Sequence, residues 1–243
     1  MGLISIDTKG LNQGKRQLLN VFLSGSCALC DRPAPAALCS SCQRQVQQTQ
    51  LPNSLYQGQA GLPVISWGSY EGALKQSIAR LKYDHRRDVA EFLGTELART
   101  WLAVSCLNPS PRHRSPVIVP IPLHADRQQQ RGFNQAELLG QWFCRVTRLP
   151  LQGKLLQRIQ LTEAQHSLNR QKRFQNLAQA FAVDPRQKKR ITHASVWLLD
   201  DIFTTGATAM AAAQVLRRQG ISVAGICTVA RTLSAAEIQS CNT

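Results

Sequence analysis

Acidic residues are scarce in this chain of 243 residues: 14 Asp and Glu stand against 29 Lys and Arg, a net charge of +15. A surface so short of carboxylates cannot neutralise itself, and this points to a polyanionic partner or an anionic substrate. No run of about 18 apolar residues occurs either, so no bilayer-spanning helix and no membrane insertion are expected. Internal repeats and low-complexity tracts are missing, which removes solenoid and fibrous architectures. Aromatics make up only 6% of the chain, a poor supply for sequence-specific stacking on bases, yet apolar residues reach 43% and can build a substantial core.

Near the N-terminus, Lys15 and Arg16 precede Leu18, Leu19, Val21, Phe22 and Leu23, an order that imitates a secretory signal. Asn20 interrupts the apolar run and no Ala-x-Ala-like cleavage site follows, so export is not expected. Residence in the cytoplasm, with reduced thiols, is the expectation.

The cysteines are concentrated. Cys27-Ala-Leu-Cys30 and Cys39-Ser-Ser-Cys42 are two C-x-x-C pairs within sixteen residues. Each pair is expected to form a rubredoxin-like turn presenting two sulfurs about 2.3 Å from one tetrahedral zinc ion. Two redox dithiols or two disulfides fit the doubled motif and a reducing compartment less well. Four thiolates saturate the ion, so the zinc is read as structural, one per chain, in a compact knuckle that is too small to fold by core burial alone. Cys106, Cys144, Cys227 and Cys241 lack ligand spacing and read mostly as small apolar residues.

The polar stretch from Gln43 to Gly61, punctuated by Pro52, Gly58 and Gly61, reads as linker. The expected organisation is therefore a zinc-bearing segment over 1–50, a linker over 51–66 and a larger domain over 67–243. In that domain, Leu74, Ile78 and Leu81 recur at helical spacing, and after Asp84–Arg87 a second helix turns Val89, Phe92, Leu93, Leu97 and Trp101 inward. Residues 108–116 form a Pro-rich loop, Val117–Val119 a buried strand, and Gln135–Val146 a helix. Ser195–Leu199, an Ala-rich helix from Thr208 to Gln219 closed by Gly220, and Ile221–Val229 make a parallel βαβ unit. The fold class is α/β, a parallel twisted sheet flanked by helices.

Within that unit, Asp200 and Asp201 follow a buried strand, and Thr204-Thr205-Gly206-Ala207-Thr208 leads into the helix. Such a turn places backbone N–H groups and hydroxyls at a helix N-terminus, where phosphate is favoured, beside two acids suited to a diol or Mg²⁺. An Asp-rich helix cap would account for one acid only. Upstream, residues 154–193 hold nine basic residues, among them Arg158, Arg170, Arg173, Lys188, Lys189 and Arg190, against Glu163 and Asp184. A solvated helical face would ordinarily interleave both signs.

Leu-Leu-Asp-Asp-Ile-Phe-Thr-Thr-Gly-Ala-Thr resembles the phosphoribosyl pyrophosphate (PRPP) signature of type I phosphoribosyltransferases. Val119-Pro-Ile-Pro-Leu-His124, Arg127, Arg131-Gly-Phe-Asn-Gln135, Leu81-Lys-Tyr83 and the cysteine pairs are similar to the ComF/GntX family in particular. The resemblance implies that Asp200 and Asp201 hold the ribose hydroxyls directly or through Mg²⁺, that 204–208 cradle the 5′-phosphate, and that Pro122, Leu123 and His124 form the pyrophosphate loop. Arg158, Arg170 and Arg173 fall in the family's mobile loop, where guanidinium groups would neutralise departing pyrophosphate. That loop reads Gln165-His166-Ser167-Leu168 here, without the glycine usual in the family.

The function expected is a ComF-like protein of natural competence that handles incoming single-stranded DNA, with Lys188, Lys189 and Arg190 on the nucleic acid and PRPP as ligand. The net charge favours this, since a polynucleotide rewards many cations. Two alternatives remain: an active phosphoribosyltransferase of unknown acceptor, and an adaptor whose zinc module docks a partner such as a competence helicase.

Overall fold

The computed structural model describes residues 25–57, 61–107, 116–159, 179–191, 193–234 and Glu237. Its first helix, α1 (Ser40–Gln47), is followed by β1 (Leu55–Gln57), β2 (Pro63–Ser69), α2 (Gly72–Tyr83), α3 (Val89–Leu107) and β3 (Pro116–Pro120). Then come α4 (Ala125–Arg131), α5 (Gln135–Thr147), β4 (Leu156–Arg158), β5 (Phe181–Val183), the short α6 (Pro185–Lys188) with a 3₁₀ turn at Lys189–Ile191, β6 (Ser195–Phe203), α7 (Ala207–Arg218) and β7 (Ser222–Arg231).

Five strands form one sheet in the order β1-β2-β7-β6-β3. Only the edge strand β1 runs antiparallel; the pairs β2–β7, β7–β6 and β6–β3 are parallel. Parallel neighbours require crossovers, and helices on both faces then bury both faces of the sheet. The strands accordingly alternate between two cores. Val64, Val117, Val119, Val196, Leu198 and Ile226 pack with Ala209, Ala212, Ala213 and Leu216 of α7. Ile65, Trp67, Ile118, Leu199 and Cys227 pack with Leu74, Ile78 and Leu81 of α2, Leu93 and Leu97 of α3, and Leu139 and Phe143 of α5. Trp101 stands edge-on to both Phe143 and Trp197, centroids 5.9 Å apart in each case, and joins α3, α5 and β6.

The segment expected as linker is not one. Residues 55–57 and 63–69 are strands, and β2 lies beside β7 near the centre of the sheet. Pro63 and Gly61 punctuate the entry to β2, while Val64-Ile65-Ser66-Trp67 supplies the buried strand. Nor does the cysteine segment stand apart: Cys27, Ala34, Leu38, Cys42 and Val46 share one apolar cluster with Trp67 and the helices α2 and α3. The chain after α1 crosses the edge of β2, with Leu51 N–H donating to Trp67 C=O (2.9 Å) and Ser69 N–H to Thr49 C=O (2.8 Å). Gly68 permits this, because a Cβ there would lie 2.5 Å from Leu74 Cδ2 and 3.1 Å from Thr49 O.

Of the scattered cysteines, Cys227 is buried and Cys144 half-buried, its thiol pushed up to about 12 by burial. Cys106 is exposed, contrary to the apolar reading, and Cys241 lies outside the described residues.

Candidate functional site

The position of the acid pair follows from unequal strand lengths. Strand β3 ends at Pro120 opposite Leu199, whereas β6 continues to Phe203 alongside β7. Asp200 and Asp201 therefore lie where β6 has lost its neighbour on one side, in a crevice at the carboxyl ends of the parallel strands, the general ligand position of open α/β sheets.

The two carboxyls face different surroundings. Asp201 is 4% exposed, ion-paired with Lys82 of α2 through Oδ2, and accepts from Gln135 Nε2 through Oδ1 (3.2 Å). Gln135 in turn accepts from Arg131 Nη1 at 2.5 Å, so a polar chain runs from α4 through α5 to the strand. Asp200 is half-buried, and its Oδ1 accepts the Asp201 N–H at 2.8 Å. Burial, and then the adjacent Asp201 carboxylate, push the Asp200 carboxyl well above the usual range; the Asp201 N–H and Lys82 oppose this.

Beyond Phe203 the chain turns into α7. Gly206 caps that helix at φ 72°, a left-handed conformation in which a Cβ would also lie 2.5 and 2.8 Å from the Phe203 ring. Thr204 and Thr205 are exposed on the turn, and Ala207 and Thr208 open the first helical turn, whose N–H groups have no intrahelical acceptor. These five residues and Asp200 line one hollow of about 50 Å³. From below, Phe203 is braced by Tyr56 (edge-on, 6.5 Å), and Tyr56 by the Arg231 guanidinium (5.0 Å), itself bonded to Glu237.

Pro122, Leu123 and His124 connect β3 to α4. His124 Nδ1 accepts the Asp126 N–H (3.2 Å), and Asn134 Nδ2 donates to Ile121 C=O (3.1 Å), which fixes the exit of β3 against α5. No cis peptide occurs among the described residues. Arg158 ends β4, over the Phe181 ring of β5. Burial and the nearby Arg127 lower its guanidinium from the ordinary value, and Asp200 opposes them. Arg170 and Arg173 lie outside the described residues. Lys188, Lys189 and Arg190 are not near the acids: they precede β6 at its opposite end, where Lys188 Nζ reaches Gln219 Oε1 (3.4 Å) beyond α7.

The sulfurs of Cys27, Cys30, Cys39 and Cys42 all lie within 4.8 Å of one another, with Cys30 and Cys39 at 3.7 Å. Tetrahedral zinc with bonds of about 2.3 Å has S···S edges of about 3.8 Å, so this donor set could hold one zinc ion. The pairs are not alike. Asp31 N–H donates to Cys27 C=O (3.0 Å) in a tight turn, whereas Cys39 caps α1 and Cys42 sits in its first turn, so the second pair is a helix N-terminus rather than a second knuckle. A helix N-terminus favours thiolate. Burial opposes ionisation of Cys27, but N–H groups of Cys39, Leu29 and Cys30 prevail and lower it. The backbone and then the side chain of Arg32, whose Nε is 3.3 Å from the sulfur, bring Cys30 down to about 6. Burial raises Cys42.

The sequence left Lys82, Arg131 and Gln135 without roles. Helical spacing sets Lys82 beside the inward stripe of α2, but no local signal tells that it meets residue 201.

No protein-family model matches the chain. Competence protein F of Haemophilus influenzae is 29% identical over 207 residues, which cover 84% of this chain and 89% of that protein. DNA utilization protein YhgH of Escherichia coli is 29% identical over 215 residues, 86% and 91% of the respective chains. Competence protein ComFC of Bacillus subtilis is 29% identical over 206 residues, 84% and 77%. Each of these relatives matches more than four fifths of this chain, which is thus similar to competence protein F, ComFC and YhgH over most of its length.

Proposed function

We propose that this protein handles single-stranded DNA in the cytoplasm during natural competence and binds PRPP with Mg²⁺ at the carboxyl end of β6, its N-terminal cysteines carrying a structural zinc. One observation carries the PRPP reading: Asp200 and the turn 204–208 line a single hollow, with Asp201 fixed beside it. An acid pair adjoining a phosphate-sized hollow at a helix N-terminus suits a ribose 5-phosphate, its diol toward the acids and its phosphate on the N–H groups. The DNA part is supported by the net charge of +15 and by relatives named for competence and DNA utilization. Lys188, Lys189 and Arg190, remote from the acids, are then a phosphate-backbone contact of the kind that positions without reading sequence. Turnover of PRPP is a second reading, favoured by the Arg158 guanidinium near Asp200.

Thermal denaturation with and without Mg²⁺-PRPP tests the proposal. Ligand at 100 times its Kd adds about 2.7 kcal/mol and a readable rise in Tm. Asp200→Asn with Asp201→Asn should abolish the rise while leaving a cooperative transition. An undiminished rise in the double variant would move PRPP to another site.

A further inference from the structure

A second cleft opens between the end of α2 and α4, with a volume of about 350 Å³ and a lining of Lys82, Tyr83, His85, Arg127, Gln130 and Arg131. This lies within the usual range of small-molecule sites, about 300–1,000 Å³, and is far larger than the phosphate hollow. Arg127, Gln130 and Arg131 come from one face of α4 at helical spacing. The lining contains no carboxylate. Lys82 answers Asp201 and Arg131 answers Gln135, but Arg127 is exposed, has no ion-pair partner among the described residues, and lies close enough to Arg158 to depress it. Cations gathered without acids are stabilised by an anion brought from outside.

The other component is aromatic. Tyr83 is 70% exposed, the largest exposure of any aromatic side chain described, and the Arg131 guanidinium stands 5.5 Å from its ring centroid. The turn beyond it is held: His85 adopts φ 55° and meets Phe133 edge-on at 6.4 Å, while Arg87 covers Phe133 at 4.7 Å. An exposed ring on a fixed helix end beside two arginines is the pairing that single-stranded nucleic acids use, bases stacked on the ring and phosphates on the cations.

We infer that this cleft is a nucleotide site for single-stranded DNA, in which a base stacks on Tyr83 and its phosphate is held by Arg127 and Arg131. The inference rests on the DNA-handling reading and deepens it. It sets the base beside the acid pair, to which Lys82 belongs as well, whereas the run at 188–190 precedes the other end of β6, with about 20 Å of strand between Ser195 and Asp201. The bound strand then reaches the acid pair by one nucleotide and is anchored elsewhere by its backbone.

Fluorescence anisotropy with labelled oligo-dT and with an abasic oligomer of the same length separates these contacts. The wild-type protein should prefer oligo-dT. Tyr83→Ala, at an exposed position that does not threaten folding, should weaken oligo-dT about tenfold and leave the abasic oligomer unchanged, and Tyr83→Phe should keep the wild-type preference. Arg127→Glu, and reversal of 188–190 to Glu, should weaken both oligomers and reduce the salt slope. Equal wild-type affinity for the two oligomers, or unchanged oligo-dT binding by Tyr83→Ala, overturns the nucleotide site while the DNA-handling reading stands. No binding of either oligomer by the wild-type protein overturns that reading itself.

Discussion

Replacing Lys82 by Met keeps most of the side-chain volume and removes the charge that faces Asp201. The carboxylate is 4% exposed, and its remaining partner is the neutral amide of Gln135. Breaking one side of a buried ion pair costs about 3–5 kcal/mol, because the charge left behind stays desolvated. The Lys82 side chain is 16% exposed, so water softens the loss and the lower end, about 3 kcal/mol, is expected. For a chain of this length about 1 kcal/mol moves Tm by roughly 2–4 °C, which gives a fall of about 6–12 °C. Adding Asp201→Asn to Lys82→Met removes the stranded charge and should recover much of the loss. Circular dichroism melts measure all of this. A Lys82→Met protein within about 2 °C of wild type at pH 8, or a double variant no better than the single one, would refute the argument that this pair is a buried, mutually dependent unit.

Asp200 yields a pH dependence of definite sign. Its folded-state carboxyl is raised, so the native chain retains a proton that the unfolded chain releases near pH 4. The associated stability is full below that pH and is lost as pH rises toward the folded value, so Asp200→Asn should raise Tm at pH 8, by an amount that shrinks toward pH 4. A Tm difference that instead grows on acidification contradicts the burial argument. Elemental analysis of protein purified without chelator should find one zinc per chain, and Cys42→Ser should lose it. Because the cysteines share a core with Trp67, α2 and α3, stripping the metal should lower the melting temperature of the whole molecule as well as the hydrogen-exchange protection of α1. A metal-free protein that melts unchanged would sink the shared-core account.

Much of this molecule was legible locally. The C-x-x-C pairs, the helical stripe of Leu74, Ile78 and Leu81, and the apolar strand before Asp200 are short-range patterns, and the structure contains the cysteine cluster, α2 and β6 that they predict. A strand's identity as linker or sheet centre is not a local property. Pro63 through Ser69 is one short apolar run among polar residues, and only its pairing with β7, more than 150 residues later, makes it the core of the sheet. The roles of the two acids divide in the same way. By itself the sequence determined that two carboxylates and a Thr/Gly turn sit between a strand and a helix. Tertiary structure decided that Asp201 is locked by Lys82 and Gln135 while Asp200 lines the hollow at the start of α7. It also gathered Tyr83 and Arg127 into one cleft with Lys82, the partner of Asp201, and sent Lys188, Lys189 and Arg190 to the other end of the sheet. Electrostatic partners act through space at a few ångströms, and the chain's order carries no record of which residues folding will bring that close.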